Sequence, residues 1–242
     1  MTDSDVSTLA SADEALFRPV RTGNAFEETV ERLLQAIRLG VAGPGERLPA
    51  ERDLATRLNI SRVTLREAIR ALQEAGYVES RRGRYGGTFV NETLPAAKPA
   101  GRQVAPNELD DVLTMRRVLE VGAAEAAASR PLTDSDRTYL RDQLTEARTE
   151  DLSEYRRKDS RLHLAIAEVA ASPTLTSAVA DVRVRLNQLL DAIPLLPTNI
   201  DHSHTQHAAI VEYILTGDAV GARDAMAEHL EGTASLLRGF LS

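Results

Sequence analysis

From Asn107 to the C-terminus the chain repeats one pattern, apolar residues every three or four positions, interrupted only by short Pro- or Gly-bearing segments. That period belongs to α-helices with one buried stripe. Helices are expected near 107–129, 133–150, 153–171, 174–192, 202–216 and 219–239. Pro131, Pro173, Pro194, Pro197 and the Thr216-Gly217-Asp218 turn punctuate them. Long amphipathic helices joined by short connections become antiparallel neighbours. This half therefore folds as an all-α antiparallel helical bundle.

The first hundred residues follow other rules. Residues 1–25 lack sustained periodicity and are expected to form a flexible N-terminal tail. Phe26, Val30, Leu33, Leu34, Ile37 and Val41 then mark a helix that Gly40 and Gly43-Pro44-Gly45 stop. A second helix is expected from Pro49 or Ala50 to Leu58. A third runs from an N-cap at Ser61 to Ala75, with Gly76 as its stop. Tyr77–Ser80 and Thr88–Val90 read as short strands around a Gly-rich loop. Residues 92–106, ETLPAAKPAGRQVAP, read as a linker. The chain thus divides into a tail (1–25), a compact N-terminal module (26–91), a linker (92–106) and the bundle (107–242), and the fold class is mainly α.

Composition narrows the chemistry. The absence of cysteine excludes disulfides, thiolate nucleophiles and Cys-ligated zinc, and leaves His, Asp and Glu as metal ligands. No stretch approaches the ~18 apolar residues of a membrane span, and the N-terminus has neither a basic segment nor a long apolar one of the secretory kind. A cytoplasmic protein without a membrane partner is expected. Aromatics are only 4% and Trp is absent, which argues against a platform for stacking single strands. The net charge of −7 is unevenly spread. Residues 26–91 hold eleven Arg against nine acids, or +2, and residues 107–242 hold fourteen basic groups against twenty-two acids, or −8. Within 52–84 there are eight Arg and four acids, or +4. A basic module is joined to an acidic one.

In the basic module, two short helices meeting at Asn59-Ile60 make a helix-turn-helix. On the second of them Leu65, Ala68, Ile69 and Leu72 form an apolar face, and Arg62, Arg66, Arg70 and Gln73 line the opposite one. Ser61 and Thr64 stand near the helix start, where this motif meets base edges and phosphates. A guanidinium forks onto a guanine edge or a phosphate. Arg81-Arg82-Gly83-Arg84 would form a basic wing tip. A row of Arg alone is equally a solvated face; the order helix, turn, helix, hairpin favours double-stranded DNA. The segment 43–90, with its LPAER, SRVTLREAIRALQEAG and RRG stretches, resembles the winged helix-turn-helix of the GntR family of bacterial transcription regulators. The resemblance implies DNA contacts at Arg52, Ser61, Arg62, Thr64, Arg66, Arg82 and Gly83. Arg52 would meet phosphate, Arg62 and Arg66 would read bases, and Gly83 would enter the minor groove.

The acidic module places ionisable groups on its apolar stripes. Tyr155, Asp159, Leu162, His163, Ile166 and Val169 share one face, with Asp159 and His163 one turn apart. His207 lies among Ile210, Val211 and Ile214, and His229 among Met226, Leu230 and Leu237. His207 is ten residues before Gly217 and His229 twelve after it. At ~1.5 Å per residue, a hairpin there sets them within roughly 3 Å of one height. One carboxylate and three imidazoles can then converge in the bundle core. Such a set suits Zn, Ni, Fe, Co or Mn. The alternative for each His is a satisfied core residue. His204 is a weaker candidate, and His202 belongs to the helix start. Arg116, on the inward stripe of the first bundle helix, either pairs with Glu120 or offers a forked site to an effector carboxylate.

MRRVLEVGAAEAAASR, DSRLHLAIAEVAASPTL and HAAIVEYILTGDAVGARDAMAEHL are similar to the FCD effector-binding domain of the FadR subgroup of GntR regulators. The resemblance implies a divalent metal on Asp159, His163, His207 and His229 with a small carboxylate beside it. Ser172-Pro173 stands where many members have Asn-Pro. The chain is expected to be a ligand-responsive repressor acting as a homodimer, since one short reading helix per protomer must meet two half-sites of an operator. The competing function is a metal-dependent, hydrolase-like enzyme using the same Asp/His cluster to activate water. It leaves residues 43–90 without a purpose.

Overall fold

A computed structural model describes residues 17, 19–21, 23–83, 86–95, 106–149 and 151–241. Among these residues the chain forms nine α-helices and one two-stranded sheet, in two compact units that divide at Pro95.

The first unit contains α1 (Ala25–Arg38), α2 (Glu51–Leu58), α3 (Arg62–Glu74), β1 (Val78–Arg81) and β2 (Gly87–Val90). Both α1 and α2 pack on α3. Val30, Leu33, Leu34, Leu54, Leu58, Leu65 and Leu72 meet there with no exposed surface. Each such side chain contributes about 1.5–3 kcal/mol relative to exposure. Asn59 ends α2 in the left-handed region at φ 54°, and Ser61 opens α3 by accepting the Thr64 N–H at 3.0 Å. The three residues between them, Asn59 to Ser61, fix the angle at which α2 meets α3. The strands pair antiparallel, Val78 against Val90 and Arg81 against Gly87, and Arg47 bridges to Phe89 on the far side of β2.

The described part of the N-terminal tail is packed rather than free. Phe17 and Val20 are buried, and the Val20 N–H donates to the Leu58 carbonyl at 3.0 Å. These two side chains, that hydrogen bond and the Arg21–Glu28 ion pair hold this stretch to the module. Residues 1–16, and most of the expected linker, lie outside the described residues.

The second unit contains α4 (Pro106–Ala128), α5 (Asp134–Ala147), α6 (Leu152–Val169), α7 (Pro173–Leu190), α8 (Pro197–Thr216) and α9 (Ala219–Leu241). Helix α4 touches α6, α7, α8 and α9, so its inward face is the axis of the bundle. The main core gathers Ala124, Leu140, Leu162, Ile166, Ile210 and Met226 from five helices. Gly217, at φ 78°, makes the left-handed turn that joins α8 to α9. Arg130 Nη1 donates to Val169 O at 2.6 Å and Arg137 Nη1 to Leu215 O at 2.7 Å. Two cations thus cap the C-terminal carbonyls of α6 and α8, the helices that carry three of the four candidate metal ligands.

The helix starts at Pro173 and Pro197 fall earlier than the sequence pattern suggests, and for one reason. The pattern makes Pro173 and Pro197 separators between helices, but each occupies the first turn of one. A first-turn proline loses an N–H that would have no intrahelical partner anyway. Helix α8 therefore begins at Pro197 rather than near residue 202.

Candidate metal centre and nucleic-acid interface

Helix α3 presents Ser61, Arg62, Arg66 and Arg70 outward, opposite its buried Leu65, Ala68, Ile69 and Leu72. Arg66 Nε donates to Glu51 Oε2 at 2.8 Å, which holds its guanidinium over the start of α2. Arg70 pairs within its own helix with Glu74 at 2.9 Å. The Ser61 and Thr64 hydroxyls, 2.9 Å apart, are engaged in the cap. Arg52, Arg82 and Gly83 are exposed. Gly83 sits at φ 104°, which side-chain-bearing residues rarely adopt, so the wing tip requires glycine here. Arg84 lies outside the described residues.

Between the start of α2, the start of α3 and the wing lies a concavity of about 390 Å³. Arg47, Arg52, Arg62 and Arg81 line it with Ser80 and Thr88. Sequence reasoning misses Arg47 and Arg81 as lining residues. Arg47 belongs to no periodic segment, and Arg81 reads only as part of a basic tip. The Arg81 guanidinium lies 4.3 Å from the Phe89 ring centre, a cation–π contact that fixes it on the hairpin.

In the bundle, α6, α8 and α9 bring Asp159, His163, His207 and His229 together. All four are buried, and one ligating atom from each lies within 4.8 Å of the others. Asp159 Oδ1 stands 3.4 Å from His207 Nε2 and 3.8 Å from His163 Nε2, and His207 Nε2 stands 3.1 Å from His229 Nε2. His163 Nε2 has no hydrogen-bond partner among the described residues. His204 is half-buried and sits edge-on to Tyr155, outside this group.

Two further charged residues belong to the cluster. Arg183 of α7, 2% exposed, donates to Asp159 Oδ2 and stands 3.7 Å from Glu120 Oε1. Its sequence signal is real, since Val179, Val182 and Leu186 place it on an apolar stripe. Glu120, 1% exposed, does more than the sequence suggests, where it is only a partner for Arg116. It faces His163 Nδ1 at 2.6 Å as well as Arg116 Nε at 3.4 Å. Arg116 is 2% exposed, and its Nη1 has no hydrogen-bond partner among the described residues. Arg116, Tyr155, Asp159, Ser203 and His229 line a cavity of about 40 Å³.

Residues 26–90 match the family described as bacterial regulatory proteins, gntR family, and residues 111–232 match the FCD domain. The L-lactate dehydrogenase operon regulatory protein of Escherichia coli (strain K12) is 32% identical over 81% of this chain and 80% of its own length. The chain belongs to the GntR family of transcription regulators, with an FCD domain. The Exu regulon transcriptional regulator of the same organism is 28% identical over 88% of this chain and 84% of its own. The regulator LutR of Bacillus subtilis (strain 168) is 26% identical over 84% and 97%. Among solved structures, Escherichia coli McbR/YncC shares the fold at a TM-score of 0.50 and 22% identity, over 88% of this chain and 96% of that one.

This GntR-family regulator keeps the cluster ionised in a selective way. Burial alone would raise the Asp159 carboxyl, but Arg183, then His163 and His207, outweigh it and hold it well below the usual carboxylate range. Glu120 behaves alike, with His163, Arg116 and Arg183 overcoming burial. His207 is pushed down to about 3, chiefly by burial, and His229 also well below the ordinary value, by burial and then by His207. Neutral imidazoles are the form that ligates a metal.

Proposed function

We propose that this DNA-binding regulator is a cytoplasmic homodimer of the FadR subgroup that represses transcription, and that a divalent metal and a small carboxylate effector in its FCD domain control it. The observation that carries the reading is the convergence of one carboxylate and three imidazoles, all buried, from three helices. The donor set fits a divalent ion. It contains no thiolate, it supplies one anionic and three neutral-capable ligands, and His163 Nε2 is left without a hydrogen bond. Asp159, His163, His207 and His229 would hold the ion. When bound, it supplies a Lewis-acid contact for a carboxylate oxygen.

Arg116 is the residue offered to the rest of the effector. Its partner-free Nη1 and its place in the wall of the cavity suit one arm of a carboxylate fork. The cavity of about 40 Å³ has room for a few waters, since one water needs about 10–15 Å³ of such space. A larger organic acid fits better in an arrangement with the surrounding helices moved apart. An effector that binds better to the opened arrangement shifts the population toward it.

On the reading side, Arg52, Ser61, Arg62, Thr64, Arg66, Arg82 and Gly83 contact the operator, with Arg62 and Arg66 meeting bases. The homodimer is supported by apolar side chains left exposed on α4 and α7, which pack together: Met115, Val118 and Val184. The deciding experiment is elemental analysis of untagged protein. One divalent ion per wild-type chain and none in His163→Ala supports the reading. Metal-free wild type after growth and dialysis in metal-supplemented medium rejects it.

A further inference from the structure

The three imidazoles turn the same nitrogen inward. His163 Nε2 and His207 Nε2 face one oxygen, Asp159 Oδ1, and His229 Nε2 faces His207 Nε2 at 3.1 Å. Their outward nitrogens differ. His163 Nδ1 lies 2.6 Å from Glu120 Oε2 but out of line for a hydrogen bond, and His229 Nδ1 lies 3.0 Å from Gln206 Oε1 within hydrogen-bond geometry. His207 Nδ1 has no hydrogen-bond partner among the described residues, and that residue is 1% exposed. Resting on the metal-centre reading above, we propose that Glu120 and Gln206 are positioning residues that hold the ring protons of His163 and His229 on Nδ1, and that His207 is the ring whose proton relocates when the centre is loaded.

A neutral imidazole has one N–H and one lone pair. An acceptor placed outside the ring keeps the N–H on its own side and leaves the inner nitrogen as a ligand. Glu120 is suited to this, because its Oε1 faces Arg116 and Arg183 and its Oε2 is the oxygen turned to His163. A small turn of the His163 ring brings the Nδ1–H into line with that oxygen. Gln206 does the same for His229 without a charge.

Two Nε2 atoms 3.1 Å apart need one proton between them. His229 has directed its own to Gln206, so His207 Nε2 carries the N–H and donates it to His229 Nε2. His207 can ligate through Nε2 only after that proton leaves to solvent and another arrives at Nδ1. The exchange is neutral overall. It leaves an Nδ1–H in a buried place with no acceptor among the described residues. Two ligands are therefore preset and the third is set by loading.

Long-range proton–nitrogen NMR correlations of the metal-free protein, with nitrogen-15 in its histidines, distinguish bare from protonated ring nitrogens. His163 and His229 should be protonated at Nδ1 and His207 at Nε2, and zinc(II) should move the proton of His207 alone. Free neutral histidine prefers the Nε2–H form, so both Nδ1–H states run against the default. Gln206→Leu removes a half-buried, uncharged acceptor. It should return His229 to the Nε2–H form and weaken zinc(II) binding about 10- to 100-fold in competition with a chromogenic chelator. Gln206→Glu, which restores an acceptor oxygen, should recover the Nδ1–H form. A wild-type His229 protonated at Nε2, a His163 bare at Nδ1, or a Gln206→Leu protein with unchanged tautomer and zinc affinity would each overturn the proposal. A wild type that binds no zinc(II) overturns the metal reading and the His207 relocation, while the metal-free spectra still decide whether Glu120 and Gln206 hold the rings.

Discussion

Asp159 and Arg183 form a buried ion pair beside the candidate metal centre, and removing one partner or the other should give opposite responses to zinc(II). Asp159→Ala takes away the carboxylate that neutralises Arg183, a guanidinium 2% exposed whose remaining counter-charge is Glu120 at 3.7 Å. Deleting one member of a buried pair costs about 3–5 kcal/mol, and Glu120 puts this case at the lower end. For a unit of this size 1 kcal/mol corresponds to about 3 °C, so the midpoint of metal-free protein should fall by about 9 °C. Zinc(II) at 100 times its dissociation constant should stabilise wild type by about 2.7 kcal/mol, or about 8 °C. Asp159→Ala should lose that increment. Arg183→Met leaves Asp159 buried without its main cation and should be destabilised to a like degree when metal-free. In that variant the divalent ion replaces the missing positive charge, so its zinc increment should exceed that of wild type. Differential scanning calorimetry of both variants, with chelator and with zinc(II), measures all four quantities. An Asp159→Ala protein that keeps the wild-type increment, or an Arg183→Met protein that shows none, refutes the argument.

Arg66→Ala should weaken specific operator binding by about 1–3 kcal/mol with the helix content unchanged, since the side chain is exposed and pairs with the equally surface-lying Glu51; a gel-shift titration at fixed salt that finds equal affinity speaks against a base-reading role. Operator affinity should also fall steeply with salt because guanidinium–phosphate contacts release counterions, and a flat dependence removes the electrostatic part. Metal-free protein should lose stability as pH falls below 6.5, because the unfolded chain takes up protons that His207, held down to about 3, and His229 refuse in the fold. His207 contributes roughly 2 kcal/mol of this loss between pH 7 and pH 5 and His229 adds to it in the same direction, and a urea midpoint that is level over that range contradicts it. The double variant Val118→Glu, Val184→Glu should sediment as a monomer with native helix content, since both side chains are more than half exposed; an unchanged sedimentation coefficient places the dimer contact elsewhere.

Residues whose role depends on one helix face are legible in the amino-acid sequence. Asp159, His163, His207 and His229 each sit on a stripe that the periodicity assigns to the core, and the Gly217 turn fixes the relative height of the last two. The reading helix is legible for the same reason, with Ser61 as its cap. What stays hidden depends on contacts between elements. Gln206 precedes a buried histidine, on a face the pattern treats as polar, and only the packing of α8 on α9 reveals its acceptor role. Arg47 lies in a loop and joins the Arg-lined concavity through a bridge to Phe89. Phe17 and Val20 are too few to make a periodic signal, yet they bury fully enough to anchor their segment. The starts of α7 and α8 are displaced because proline is both a helix breaker and a favoured first-turn residue. Periodicity cannot tell those two uses apart.

Charge balance gives a physical reason why a metal and an acidic effector should act together. Asp159 and Glu120 contribute two negative charges to the buried cluster, and Arg116 and Arg183 two positive ones. These four therefore cancel before any ion arrives, and His207 and His229 stay neutral. Loading a divalent cation onto Asp159 and the imidazoles leaves two positive charges in excess in a water-poor chamber, and burying uncompensated charge is costly. A carboxylate reaching both the ion and Arg116 would relieve that excess, so bound metal should raise the affinity for anions well beyond what Arg116 achieves alone. Linkage makes the effect mutual, and the acid should tighten the metal by the same factor. Zinc(II) titrations with and without a saturating small carboxylate test this. Equal zinc affinity in both, with the acid shown to bind, would mean that effector and metal occupy electrostatically independent sites.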